Sequence, residues 1–188
     1  MTRPQPEASM FAKLSRKRPA DLHPLLVETH ETWLRGGMPI SDAATQLDVR
    51  ANTVYGWLIG RGRPLLSQLD AMMGLIGYHY SIVNGSRTDR RLPASEFSSR
   101  SNRADLADGV HPLLAEVDDM VRDSRVVLAD FAGEMGVSTS YLSNWFSNKA
   151  DPAILDVDRL VGLIGRGHRL AVTRGLRRTQ RQAGNETA

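Results

Sequence analysis

The sequence contains no cysteine, which excludes disulfides, thiolate nucleophiles and cysteine metal sites. Aromatic residues make up only 6% of the 188 residues, so each hydrophobic core must be built around a few large side chains. No apolar run approaches the roughly 18 residues that a membrane span needs, and the basic N-terminal stretch lacks the apolar block of a secretory signal. A cytoplasmic protein without membrane contact is the expectation. Neither charge dominates, with 24 Lys and Arg against 21 Asp and Glu, although the sequence pI is about 9.6. The five histidines never fall at a metal-ligand spacing, and His30 to Leu34 (HETWL) lacks the second histidine of a zinc helix. No nucleophile motif is visible either, so no catalytic residue, metal or cofactor is expected and the chain is not read as an enzyme.

What the chain does contain is a repeat. The tetrapeptide HPLL occurs at His23 and again at His111, and the match continues without a gap at this offset of 88. Glu28, Asp42, Ala44, Val49, Trp57, Pro64 and Asp70 fall on Glu116, Asp130, Ala132, Val137, Trp145, Pro152 and Asp158. GLIG at Gly74 then falls on GLIG at Gly162. Fifteen of the 55 positions from His23 to Gly77 are identical, against about 3 for unrelated segments, which reads as a duplicated structural unit.

The organisation that follows is a basic N-terminal arm over 1–21, a first domain over 22–83, a linker over 84–109, a second domain over 110–173 and a basic tail over 174–188. Lys13, Arg16, Lys17 and Arg18 at one end and Arg174, Arg177, Arg178 and Arg181 at the other are either solvated ends or phosphate-contacting arms. His-Pro opens the first helix of each domain because proline suits the first helical position, and the histidine is read as structural. Leu25, Leu26, Thr29 and Trp33, and likewise Leu113, Leu114, Val117 and Val121, mark the inward face. The acidic run Glu116 to Asp119 reads as a solvated helix surface, and the GLIG glycines as helix caps rather than a phosphate loop. Strands are expected over 78–83 and 166–172, pairing with each other or with those of a second chain.

The informative stretches are ISDAATQLDVRANTVYGWLIG from Ile40 and LADFAGEMGVSTSYLSNWFSN from Leu128. Each places a small alanine (Ala44, Ala132) on a short helix, a turn four residues later (Asp48, Gly136), a buried aliphatic (Val49, Val137), and apolar anchors five and eight positions further (Val54 and Trp57; Leu142 and Trp145). Two helices crossing through a short turn need a small side chain at the contact, a turn residue tolerant of positive φ, and anchors on one face of the second helix. The other face then carries Arg50, Asn52, Thr53 and Tyr55 in the first copy and Ser138, Thr139, Ser140, Tyr141, Ser143 and Asn144 in the second. Such groups hydrogen-bond base edges and phosphates when a helix enters the major groove.

These residues resemble the helix-turn-helix of the Cro and phage-repressor (XRE-type) family. The resemblance implies a mainly α protein with two tandem lambda-repressor-like domains, each followed by a short strand, of bacterial or phage type. It implies recognition helices over 51–59 and 139–147, with a packing helix over 66–77 and 155–165. The implied partner is double-stranded DNA, bound for transcription regulation, with a homodimer and a protein partner such as RNA polymerase left open. Asp48 departs from the usual turn glycine but tolerates the left-handed conformation. Charge separates the two copies. Residues 40–63 hold Arg50, Arg61 and Arg63 against Asp42 and Asp48, a net +1, whereas 128–151 hold Lys149 against Asp130, Glu134 and Asp151, a net −2. The first copy is expected to bind more strongly. A second class of function stays open, a protein-interaction regulator of antitoxin or anti-activator type whose acidic second domain grips a partner.

Overall fold

The computed structural model describes residues 22–84, 109–165 and 168–175. Among these residues eight helices and two strands follow in order: α1 (Pro24–Gly36), α2 (Ile40–Gln46), α3 (Ala51–Leu58), α4 (Leu66–Leu75), β1 (Tyr78–Asn84), α5 (Pro112–Asp123), α6 (Leu128–Met135), α7 (Thr139–Phe146), α8 (Ile154–Ile164) and β2 (His168–Arg174). No helix among them is long and apolar enough to cross a membrane. The expected arm lies outside the described residues, as do the linker apart from 84 and 109 and the tail beyond Gly175.

The HPLL repeat has a local cause. The imidazole Nδ1 of His23 accepts the backbone N–H of Leu25 at 3.3 Å, and that of His111 accepts Leu113 N–H at 3.2 Å. Each histidine is an N-cap and each proline occupies the first helical turn, where its missing N–H leaves nothing unpaired. The two leucines that follow are buried in both copies.

The backbone repeats as faithfully as the side chains. Residues with positive φ occur at Gly37 and Arg125, Asp48 and Gly136, Gly60 and Asn148, and Gly77 and Gly165, each pair 88 apart. In three of these pairs one copy uses glycine and the other does not, so the required backbone turn outlasts the residue best suited to it.

Contacts among the described residues divide them into two compact units: 22–63, 68–80 and 172–175 in the first, and 64–67, 81–84, 109–165 and 168–171 in the second. The core of the first is formed by Leu25, Leu26, Trp33, Val54, Trp57 and Met72, and that of the second by Leu113, Leu114, Phe131, Leu142, Trp145 and Leu160. Trp33 and Ala43 of the first unit stand where the second has Val121 and Phe131, all four buried. The large aromatic has moved from the first helix to the second while the combined volume is kept roughly constant, the kind of exchange a packed core tolerates. Within the second unit, Leu66 N–H donates to the Pro152 carbonyl at 2.8 Å and Ile154 N–H to that of Pro64 at 3.1 Å. The Asp151 carboxylate takes both the backbone N–H and the hydroxyl of Ser67. The repeated prolines thus supply the acceptors of a short antiparallel bridge between Leu65 and Ala153.

β1 and β2 form one two-stranded sheet, with Gly77 opposite Gly175 and His79 opposite Thr173. The second strand is described over His168–Arg174, two residues past its expected end, and 166–167 of the expected strand lie outside the described residues. Three N–H groups on the sheet's outer edges meet carboxylates: Tyr80 donates to Asp70 at 3.2 Å, Leu170 to Asp158 at 2.6 Å and Val172 to Glu28 at 3.2 Å. Carboxylates in these places occupy edge donors that would otherwise template another strand. Tyr80 is buried and donates its hydroxyl to Thr29 Oγ1 at 2.8 Å, since the Thr29 proton is given to the Leu25 carbonyl. Burial pushes the Tyr80 phenol well above its ordinary value, with smaller contributions of the same sign from Asp70 and Glu28 and an opposing one from Thr29.

Two expectations are corrected. Val49 and Val137 are half-buried rather than buried, because each follows the left-handed residue and lies at the rim of the turn. The run Glu116 to Asp119 is not uniformly solvated: Asp118 is fully buried and paired with Arg122 at 2.6 Å, one helical turn on.

Candidate nucleic-acid interface

The α2–α3 and α6–α7 corners follow the same hydrogen-bonding plan. At the end of α2, Val49 N–H reaches back to the Ala44 carbonyl at 2.9 Å and Asp48 N–H to that of Thr45 at 3.3 Å. At the end of α6, Val137 reaches Ala132 at 2.9 Å and Gly136 reaches Gly133 at 3.0 Å. This paired closure around a left-handed residue is a Schellman motif, and it satisfies carbonyls that a helix end leaves open. Ala44 and Ala132, both buried, therefore sit where the chain folds back on itself.

The second helix of each corner ends the same way. Arg61 N–H donates to Gly56 at 2.7 Å and Gly60 to Trp57 at 3.2 Å, while Lys149 donates to Asn144 at 2.9 Å and Asn148 to Trp145 at 3.4 Å. Arg61 and Lys149 thus hold equivalent exposed positions just beyond the helix. Val54, Trp57 and Leu58 bury one face of α3, and Leu142, Trp145 and Phe146 bury one face of α7.

The outward groups differ. Arg50, Asn52 and Thr53 are exposed at the start of α3, Tyr55 is half-buried, and Arg61 and Arg63 are exposed beyond the helix. Arg50 is the N-cap residue of α3, with extended backbone, and its side chain makes no capping hydrogen bond. An open concavity of about 860 Å³ lies at this corner, lined by Ser41, Ala44, Thr45, Asp48, Val49, Arg50, Ala51 and Thr53. At the other corner Ser138, Thr139, Ser140 and Lys149 are exposed, whereas Tyr141, Ser143 and Asn144 are half-buried. The Ser138 hydroxyl caps α7 by accepting Tyr141 N–H at 3.1 Å. The Tyr141 hydroxyl donates to Asp156 at 3.1 Å, and its ring lies edge-on to Trp145 with centroids 5.2 Å apart.

Sequence reasoning missed the role of Arg159. Its guanidinium donates to the carbonyls of Met135 at 3.0 Å and Glu134 at 2.8 Å, placing a cation against the C-terminal end of α6. The equivalent position in the first copy is Ala71, so this brace belongs to the second corner alone. An arginine opposite an alanine in the aligned repeats was the available signal. Among the described residues no three His, Asp or Glu gather as a metal site. No protein-family model matches the chain, and no curated protein or solved structure matches it.

Proposed function

We propose that this protein is a sequence-specific double-stranded DNA-binding transcriptional regulator whose two corners act as helix-turn-helix modules, with α3 and α7 entering the major groove. The observation that carries this reading is the polarity of α3: Arg50, Asn52 and Thr53 stand exposed at its first turn while Val54, Trp57 and Leu58 bury its back. A short helix clamped at its far end by a Schellman closure and backed by a tryptophan is a rigid presenter of polar groups. Exposed Arg61 and Arg63 near its exit supply charge for phosphates, which govern affinity.

The test is titration of the full chain into labelled genomic duplex fragments over a range of salt concentrations. The expected result is retention that weakens log-linearly with salt, with a slope of about −0.9 per phosphate contacted. Failure to retain duplex even at low salt would contradict the proposal. One observation favours a second reading for the second corner alone. Asp130 and Glu134 are exposed on α6 and residues 128–151 carry a net charge of −2, a balance that suits a basic protein segment better than phosphate.

A further inference from the structure

We infer that the two corners read DNA unequally: α3 specifies a guanine through Arg50 and an adenine through Asn52, whereas α7 touches its half-site through hydroxyls that carry little base information. The inference rests on the DNA-binding reading above and deepens it. Arg50 and Asn52 occupy the N-cap and the second position of α3, the end of a recognition helix that reaches base edges. Both are exposed, and Arg50 lines the open concavity. A guanidinium fork matches the two acceptors of guanine, and a carboxamide matches the acceptor and donor of adenine.

The equivalents in α7 are Ser138 and Ser140. A hydroxyl is short, and because it donates and accepts it suits either base. Ser138 already accepts the Tyr141 N–H, and Tyr141 is itself held by Asp156. The first corner has groups that discriminate, while the second commits Ser138 and Tyr141 to its own fold and leaves Thr139 and Ser140 as its exposed hydroxyls.

The experiment is selection of bound sequences from a random duplex pool with the full chain and three variants: Arg50→Gln, Asn52→Ala, and the double change Thr139→Ala with Ser140→Ala. All four positions are exposed, so the variants should keep the wild-type circular dichroism spectrum. The wild type should select a motif with one informative half containing guanine and adenine. Arg50→Gln should turn the guanine position towards adenine and weaken binding to the wild-type site by about 10- to 100-fold. Asn52→Ala should flatten the adenine position, and the hydroxyl variant should change affinity by less than about 3-fold. Two equally informative halves, or a loss beyond about 10-fold in the hydroxyl variant, would overturn the inequality. An informative half unchanged by Arg50→Gln or Asn52→Ala would overturn the assignment of that base. Absence of any selected duplex would instead defeat the DNA-binding reading on which the inference stands.

Discussion

The α2–α3 and α6–α7 corners share a backbone plan and differ in what their side chains do with it. The first leaves the start of its second helix without a side-chain cap and puts Arg50 there. The second caps that helix with Ser138, ties Tyr141 to Asp156 and braces the preceding helix with Arg159. Polar groups satisfied within the fold are stabilising, and groups left facing water are available to a ligand. The pair shows how a duplicated scaffold can commit polar groups to the fold in one copy and leave them facing water in the other.

That comparison can be broken or sharpened by measurement, first in the cores. Trp33→Ala and Phe131→Ala should each cost about 3–5 kcal/mol in urea unfolding, because each removes the large aromatic that its unit keeps on a different helix. A cost below about 1 kcal/mol at either site would mean that the two cores are not compensated versions of one packing.

Alkaline pH should separate them next. Tyr80 has no aromatic counterpart in the second copy, where Leu170 fills the edge position whose N–H also meets a carboxylate. Its phenol is raised above the ordinary value of 10.0, so below that pH folded and unfolded states are equally protonated and stability is fully present. Above it the unfolded chain ionises first, and stability should fall by about 1.4 kcal/mol per pH unit until the folded phenol titrates. In Tyr80→Phe this alkaline decline should shrink markedly, at a cost near neutral pH of about 1 kcal/mol for the lost Thr29 hydrogen bond.

Exchanging the N-caps tests the division of labour directly. Ser138→Ala should destabilise by about 1 kcal/mol, whereas Arg50→Ser should stabilise by up to about 1 kcal/mol by creating the missing cap. On the proposed function, the same Arg50→Ser change should weaken duplex binding, measured by anisotropy. A variant that gained stability and kept full affinity would show that Arg50 is not a reader.

The smallest effect is expected at Arg125, left-handed where the first copy has Gly37. Arg125→Gly should raise the thermal midpoint, worth about 0.5–1 kcal/mol, since relief of the strained φ outweighs the added freedom of the unfolded chain. No gain would place the restraint on this turn elsewhere.

Much of the candidate site was legible because its geometry is local. The alanine, the turn residue and the valine that close α2 and α6 lie within six consecutive positions, so their spacing alone implies the Schellman closure. Asp48 was expected to adopt a left-handed conformation and does so at φ 52°. The hydrogen bond of Tyr141 to Asp156 was not legible, because its partners lie fifteen residues apart on different helices. Nor was the burial of Asp118, which an acidic run conceals and only its place on the inward side of α5 reveals.

The amino-acid order by itself determined the duplication, the histidine caps, the ends of the helices and the residues turned outward on α3, since each follows from contacts a few positions apart. Tertiary structure alone decided which carboxylates hold the sheet edges, as when Glu28 meets Val172 across 144 residues. It also decided how Pro64–Ser67 joins the unit of the other repeat, and which polar groups the second corner keeps for itself. The physical reason is that a hydrogen bond forms wherever folding brings donor and acceptor within about 3 Å, and sequence spacing carries no record of that distance once the partners belong to different elements.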